Sequence, residues 1–176
     1  AENTIRNSII AVFVASLFVM LYIIYAFRNI ERSFLYAIAA ILTLIHDVFL
    51  VMGIFIILSL IIGSQVNSIF IVGILTVIGY SVNDTIVIFD RIRENQIINR
   101  SREFIDTVNK SVKESITRSL GTSITTSTVI LSMLLFGGQS LRDFLIVLLL
   151  GVIIGTYSSI FVASNLLVLW RYGPKK

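Results

Sequence analysis

The chain has 176 residues, of which 56% are apolar and 14% charged, and its mean hydropathy is +0.95. Such values exclude an ordinary soluble domain and put the chain in a lipid bilayer. With no cysteine there is no disulfide framework, thiolate metal site or thiol nucleophile. The net charge of +4 sits in the connections between apolar runs, so membrane topology and attraction to anionic lipid account for it without nucleic-acid binding.

Crossing about 30 Å of hydrocarbon takes roughly 20 apolar residues in a helix. Five runs meet that need, at about 7–27, 34–62, 69–89, 119–136 and 144–170, so the sequence predicts an all-α polytopic membrane protein with a single transmembrane domain over 1–176. The first run is too long for a signal-peptide core and has no small-residue cleavage site before Arg28, which makes it a retained span. The second is longer than hydrocarbon requires, so it tilts or protrudes, and it carries His46 and Asp47 in its interior. On the third, Tyr80, Asn83 and Asp84 share a face with Thr76 one turn earlier.

Between the third and fourth spans, Ile97, Phe104, Ile105, Val108, Val112 and Ile116 recur at three- and four-residue intervals among charged residues. The pattern predicts an amphipathic helix over about 97–117 on the cytoplasmic surface, either anchoring the loop or offering a docking face. The fourth span opens with Arg118 and carries Thr122, Thr125 and Thr126, widened by Ser119, Ser123 and Ser127. Gly137 and Gly138 make a turn outside the membrane. On the last span Gly151 and Gly155, continued by Ser158 and Ser159, form a small-residue packing stripe and a candidate surface for a partner helix. The one proline, Pro174, lies beyond that span and breaks no helix.

Basic residues fix the orientation. Arg28 and Arg32 lie in the first connection, seven Lys or Arg residues run from Arg91 to Arg118, and Arg171, Lys175 and Lys176 lie in the tail, whereas the connections at 63–68 and 137–140 carry no charge. The positive-inside rule then places the N-terminus outside and the C-terminus in the cytoplasm, as an odd number of spans requires.

Polar groups inside the membrane are where chemistry can reside, because a carboxylate in hydrocarbon costs several kcal/mol and is kept for a partner, a proton or a task. Asp84 lies about five residues, or roughly 8 Å, inside the cytoplasmic end of its helix, and Arg118 heads the next helix at that same end, so the two are expected to meet. Such an acid can be held charged by a cation or can take a proton when desolvation wins, and a group balanced between those states relays protons. Asp84 and Arg118 are thus the candidate proton relay. His46, Asp47, Tyr80, Asn83, Thr122 and Thr126 are its candidate supports. A single histidine without cysteine excludes the usual zinc sets, and no glycine-rich phosphate loop is present. Two aspartates alone do not make an aspartic-protease dyad, which needs both carboxylates at one depth beside a wet cleft. No metal, cofactor or catalytic residue is expected, and the chain is not expected to be an enzyme.

These residues carry a resemblance. The run from Gly79 to Asn95, with His46, Asp47 and Val48, the stretch Arg118–Thr126, the turn at Phe136–Gly138 and the stretch Gly155–Ser164, resembles the SecF branch of the bacterial SecD/SecF protein-export family, of the resistance-nodulation-division type. The likeness covers nearly the whole chain. It implies two pseudo-symmetric six-helix halves, one SecF and one SecD, working with the SecYEG channel and the SecA motor in the cytoplasmic membrane. It also implies use of the proton-motive force to draw preproteins outward. In the family's terms Asp84 matches the proton-carrying acid, Arg118 the arginine of the following helix, and His46 and Asp47 a supportive polar pair. The family has a further N-terminal helix and an extracytoplasmic, substrate-facing domain before five such spans. The resemblance therefore implies that this chain is a fragment, or one product of a split chain, starting where that domain ends.

One proton moving down about 100 mV yields roughly 2.3 kcal/mol, enough to bias a rearrangement of helices if protonation favours one state. Two other readings share the residues: a permease of the same superfamily exporting a lipid or small molecule, and a structural assembly subunit in which Asp84 and Arg118 are a static pair.

Overall fold

The computed structural model describes residues 2–28, 32–63 and 68–172. Six α-helices follow in order: α1, Glu2–Ala26; α2, Ser33–Ile62; α3, Ser68–Ile98; α4, Phe104–Phe136; α5, Arg142–Ser158; and α6, Ser164–Tyr172. A 3-10 turn at Gln139–Leu141 leads into α5, and a π-helical turn at Ser159–Ala163 joins α5 to α6 without a break, so the last two helices form one rod. Four stretches have the length and hydropathy to cross a bilayer, at Ser33–Ile61, Ile69–Ile98, Phe104–Phe136 and Gln139–Tyr172. The chain is a multi-pass membrane protein. The first expected span is present as α1, but its described apolar part, Ile10–Ala26, is shorter than the other four.

The expected surface helix over 97–117 takes another form. Residues 97–98 end α3, and Phe104 opens a helix that runs without interruption to Phe136. Neither half contains a proline or a left-handed glycine to stop it. Ion pairs one turn apart, Arg91 to Glu94 at 2.5 Å and Arg93 to Asp90 at 2.8 Å, support the far end of α3. At 31 residues α3 is about 46 Å long, so it outreaches the hydrocarbon. The reversal is confined to 99–103, where the Asn99 amide donates to Asn95 O at 3.2 Å and the Ser101 hydroxyl to Asn99 Oδ1 at 2.8 Å. At the other end of the bundle Gly63, at φ 71°, terminates α2 in the left-handed conformation that favours glycine. Of the two uncharged connections, residues 64–67 lie outside the described residues, as do Pro174, Lys175 and Lys176 of the tail.

α3 is the hub of the bundle and packs against α1, α2, α4 and, most extensively, α5. Small residues set how closely α5 approaches. A Cβ on Gly73 would lie 2.9 Å from Val147 Cγ1, one on Gly155 would lie 3.2 Å from Ser81 Cβ, and one on Gly151 would overlap the Val77 side chain. The Gly151–Gly155 stripe is thus filled by α3 of the same chain, and the expectation that it offers a free face to a partner is corrected. The sequence spacing located the stripe but could not say which helix fills it.

Two large apolar layers result, with a smaller cluster of Ile130 in α4 and Leu145 and Val152 in α5. One joins Ile23 of α1 and Phe27 just beyond its end, Tyr36 of α2, Ile88, Phe89 and Ile92 of α3, and Leu167 of α6, around stacked Phe27 and Tyr36 rings 5.3 Å apart. The other joins Val51 and Phe55 of α2 with Phe70, Ile74, Val77 and Ile78 of α3 and Val147 of α5. Buried polar residues gather between them.

Candidate functional site

The polar layer is built from hydroxyls that small residues allow to approach one another. On α3 it holds Ser81, Asp84 and Thr85; on α2, Asp47; on α5 and the π turn, Thr156, Ser158 and Ser159, all buried. α4 contributes a line of hydroxyls spaced by four residues, Thr107, Ser111, Ser115, Ser119 and Ser123, every one buried. Four-residue spacing keeps a series on one slowly drifting helix face. Most of these hydroxyls satisfy themselves on their own helix: Thr107 donates to Glu103 O at 3.1 Å, Ser111 to Thr107 O at 2.7 Å and Ser123 to Ser119 O at 2.9 Å.

Asp47 is enclosed by donors. Its Oδ2 accepts hydrogen bonds from Ser81 Oγ at 2.5 Å and Ser158 Oγ at 2.7 Å, and its Oδ1 lies 3.0 Å from Nδ1 of the partly exposed His46. One carboxylate, 1% exposed, therefore ties α2, α3 and α5 together. Beside it Thr85 Oγ1 pairs with Ser159 Oγ at 2.8 Å, and the Ser159 hydroxyl also reaches Ser81 O at 3.4 Å. The π turn begins at Ser159, so the extra residue in that turn lies at this junction.

Asp84 is held differently. Its Oδ1 accepts from Ser119 Oγ of α4 at 2.7 Å, and its Oδ2 is buried without a hydrogen-bond partner. The residue is 7% exposed. Nearly every buried polar atom in a folded protein is paired with protein or water, so this carboxylate oxygen stands apart from the rest of the layer. A hydroxyl chain lies alongside: Ser123 pairs with Thr156 of α5 and stands 3.3 Å from the Tyr80 hydroxyl.

The structure redistributes the remaining candidates. Arg118 does not pair with Asp84: Ser119, next along α4, faces the carboxylate, and the roughly 100° rotation between neighbouring helical residues turns Arg118 away. The Arg118 side chain is exposed and lines a crevice with Asp90, Arg91, Glu94, Glu114 and Ser115. Of the face expected to hold Thr76, Tyr80, Asn83 and Asp84, Asp84 is buried and Tyr80 partly so, whereas Thr76 and Asn83 are exposed; Ser81 and Thr85 join Asp84 on the inward side instead. The hydroxyls of Thr76, Thr122 and Thr125 bond to backbone carbonyls of their own helices, and Thr126 is only partly buried. Sequence reading passed over Ser81, Thr85, Ser115 and Thr156. The repeat of Ser or Thr at every fourth position from 107 to 127 was a visible signal for the α4 members. Among the described residues no group of three His, Asp or Glu converges as a metal site would need.

Comparison with known proteins places this geometry. Residues 1–173 match the protein family described as "Protein export membrane protein SecD/SecF, C-terminal". The chain is 47% identical over 168 residues to the protein translocase subunit SecF of Thermobaculum terrenum, covering 95% of this chain and 53% of that protein. It is 39% identical over 170 residues to the protein translocase subunit SecDF of Thermus thermophilus, covering 97% of this chain and 22% of that one. Among solved structures, the crystal structure of SecDF in its super-membrane-facing form superposes with a TM-score of 0.85 at 38% identity, over 98% of this chain and 22% of that chain. The chain spans about half the length of the curated SecF relatives it matches, 53% and 54% for two of them.

Proposed function

We propose a function from one premise: this chain belongs to the SecD/SecF family of protein-export membrane proteins, as their C-terminal membrane portion. It is the proton-handling membrane half of a SecF-type subunit, and it couples the proton-motive force to the movement of preproteins through the SecYEG channel, downstream of the SecA motor. The drive is the proton gradient, with no cofactor and no enzymatic step. The reading also sets the chain in the bacterial cytoplasmic membrane, with the α3–α4 turn and the C-terminus in the cytoplasm, as the basic residues at both places favour. Anionic lipid would meet those basic residues, and preprotein would meet the part of the longer relatives that lies outside these spans. The curated relatives carry translocase names, which leaves export of a lipid or small molecule without support.

The observation that carries this reading is the asymmetric setting of Asp84, with one oxygen hydrogen-bonded to Ser119 and the other buried and free. A proton can add to that free oxygen without breaking a bond, and its arrival removes a charge from the contact between α3 and α4. Arg118 acts from the neighbouring crevice as a nearby cation, not as an ion-pair partner. Asp47, with His46, holds α2, α3 and α5 in register around the site. SecD is the partner this reading assigns, and relatives named SecDF carry a segment like this chain within one longer polypeptide. The exposed Asn83 of α3, a poor fit to lipid, marks the surface assigned to it. Asp84→Asn in the complete complex tests the reading: membrane insertion and assembly should persist while proton-dependent export falls to background. Retained proton dependence would overturn it.

A further inference from the structure

A polar crevice of about 250 Å³ opens between α3 and α4 on the side of the 99–103 turn. Its lining combines Val87, Asp90, Arg91 and Glu94 of α3 with Glu114, Ser115 and Arg118 of α4. Its inner end lies close to Asp84 along both helices. Val87 is one turn beyond Asp84 on α3, and Ser115 is one turn before Ser119, whose hydroxyl binds the Asp84 carboxylate. Within the α4 line, Ser115 is also the exception. The hydroxyls of Thr107, Ser111, Ser119 and Ser123 all donate to protein acceptors, whereas that of Ser115, in a residue 6% exposed, makes no hydrogen bond among the described residues. Two polar groups without protein partners thus stand about one turn apart at this end of the crevice: Ser115 Oγ, which opens on the crevice, and Asp84 Oδ2, which is buried beyond it. Groups of that kind are satisfied by water when the space is polar and roomy enough, and a crevice of this volume and lining is both.

The outer part of the crevice is cross-braced. Arg91 donates to Glu114 of α4 at 2.7 Å and to Glu94 at 2.5 Å, the Asn95 amide donates to Glu114 at 2.8 Å and to Ser111 at 3.0 Å, and Lys110 stands 3.6 Å from Glu114. The Arg91–Glu114, Asn95–Glu114 and Asn95–Ser111 contacts join α3 to α4 on the turn side of Ser115, and the Arg91–Glu94 and Lys110–Glu114 pairs, each within one helix, hold their partners in place. Elsewhere in the polar layer α5 and the π turn present hydroxyls, at Thr156, Ser158 and Ser159, and the Asp47 carboxylate there is already bound by Ser81 and Ser158.

We propose that this crevice is the aqueous passage by which protons move between Asp84 and the water on the side of the α3–α4 turn, with Ser115 as its inner water-holding position and the Arg91–Glu114–Asn95 brace as the closure of its mouth. The proposal rests on the reading of Asp84 as the proton carrier. A proton delivered as hydronium passes along water in the crevice, and the last water, held by Ser115 Oγ, gives it to Asp84 Oδ2. The carboxylate becomes a carboxylic acid and the water is left neutral; release runs the same steps in reverse. Arg91, Glu114 and Asn95 are positioning residues, since none of them touches the carboxylate.

The absence of cysteine makes the test direct. In the complete protein with its partner, other cysteines having been replaced, Ser115→Cys should react with a membrane-impermeant maleimide applied on the side of the α3–α4 turn and not from the opposite side. A control at Ile130→Cys, in the apolar core, should stay unlabelled from both. Adding Arg91→Gln should raise the rate at position 115 by about fivefold, the scale on which a partly exposed ion pair is worth its release. In the same complex Ser115→Leu should lower proton-dependent export at least about tenfold while Ser115→Thr retains it, because only the first excludes water from a polar site. Labelling at the control rate, no response to Arg91→Gln, or undiminished export with Ser115→Leu would each overturn the passage. Because labelling is read without transport, failure of the passage is distinguishable from failure of Asp84 as carrier, which Asp84→Asn tests alone.

Discussion

Asp47 and Asp84 occupy one polar layer of one bundle, yet their hydrogen-bond surroundings are opposite in kind, and the proposed function gives them opposite tasks. Asp47 has donors on both oxygens from three directions, Ser81, Ser158 and His46. Asp84 has Ser119 on one oxygen and nothing on the other. Protonating the first means breaking hydrogen bonds that join three helices, whereas protonating the second breaks none. A buried carboxylate saturated with donors behaves as a structural tie, and one left half-satisfied is available for exchange. Residue type and depth alone do not separate the two. The count of donors does.

The largest test of that contrast is functional. Asp84→Asn keeps an acceptor for Ser119 and should leave the thermal unfolding of the detergent-solubilised complex nearly unchanged while export loses its proton dependence, a fall of at least about hundredfold if the carrier is unique. Asp47→Leu should do the reverse in kind, stranding the Ser81 and Ser158 hydroxyls and lowering stability by about 2 kcal/mol, with activity falling only as folded protein is lost; an unfolding curve measured beside an activity assay checks it. Gly151→Leu sharpens the comparison further. Its side chain would collide with Val77, push α5 from α3 and so loosen Ser158 from Asp47 without touching the α3–α4 contact at Asp84, at a stability cost of about 1–3 kcal/mol seen in the same unfolding measurement.

Much of this was legible before any coordinates. The long apolar runs at 34–62, 69–89 and 144–170 all lie within observed helical rods, because a 20-residue apolar run in a membrane has almost no alternative to a helix. Asp84, Asp47 and His46 stood out because charge inside such runs is rare. What the sequence hid was rotational phase and partner identity. Arg118 and Ser119 are neighbours, and about 100° of helix rotation decides that the serine, not the arginine, meets Asp84. Gly151 reads as a surface for any helix until Val77 is seen to fill it. Of the apolar pattern over 97–117, Phe104 and Val108 are buried but Ile97 and Ile105 are exposed, and periodicity cannot show that a helix continues unbroken into its neighbour, as α4 does from Phe104 to Phe136. The π turn at Ser159–Ala163 leaves no distinctive residue pattern.

Smaller effects sharpen the contrast within α4 itself. Ser119→Ala removes the one donor on Asp84 and should reduce proton-coupled export several-fold, about three- to tenfold, with Ser119→Thr restoring it; equal export from the alanine variant would mean that the contact is incidental. Thr122→Ala, one turn along the exposed face, deletes a hydroxyl that bonds only to Arg118 O of its own helix. It should change neither stability by more than about 0.5 kcal/mol nor export, as a thermal melt and a transport assay would show.

The central claim, that Asp84 exchanges a proton while Asp47 is a fixed tie, is most directly tested by infrared difference spectroscopy of the complete complex across a pH step. The account predicts a carboxylic-acid carbonyl band that appears on acidification, vanishes in Asp84→Asn and persists in Asp47→Asn. A band that survives Asp84→Asn and vanishes in Asp47→Asn would contradict it.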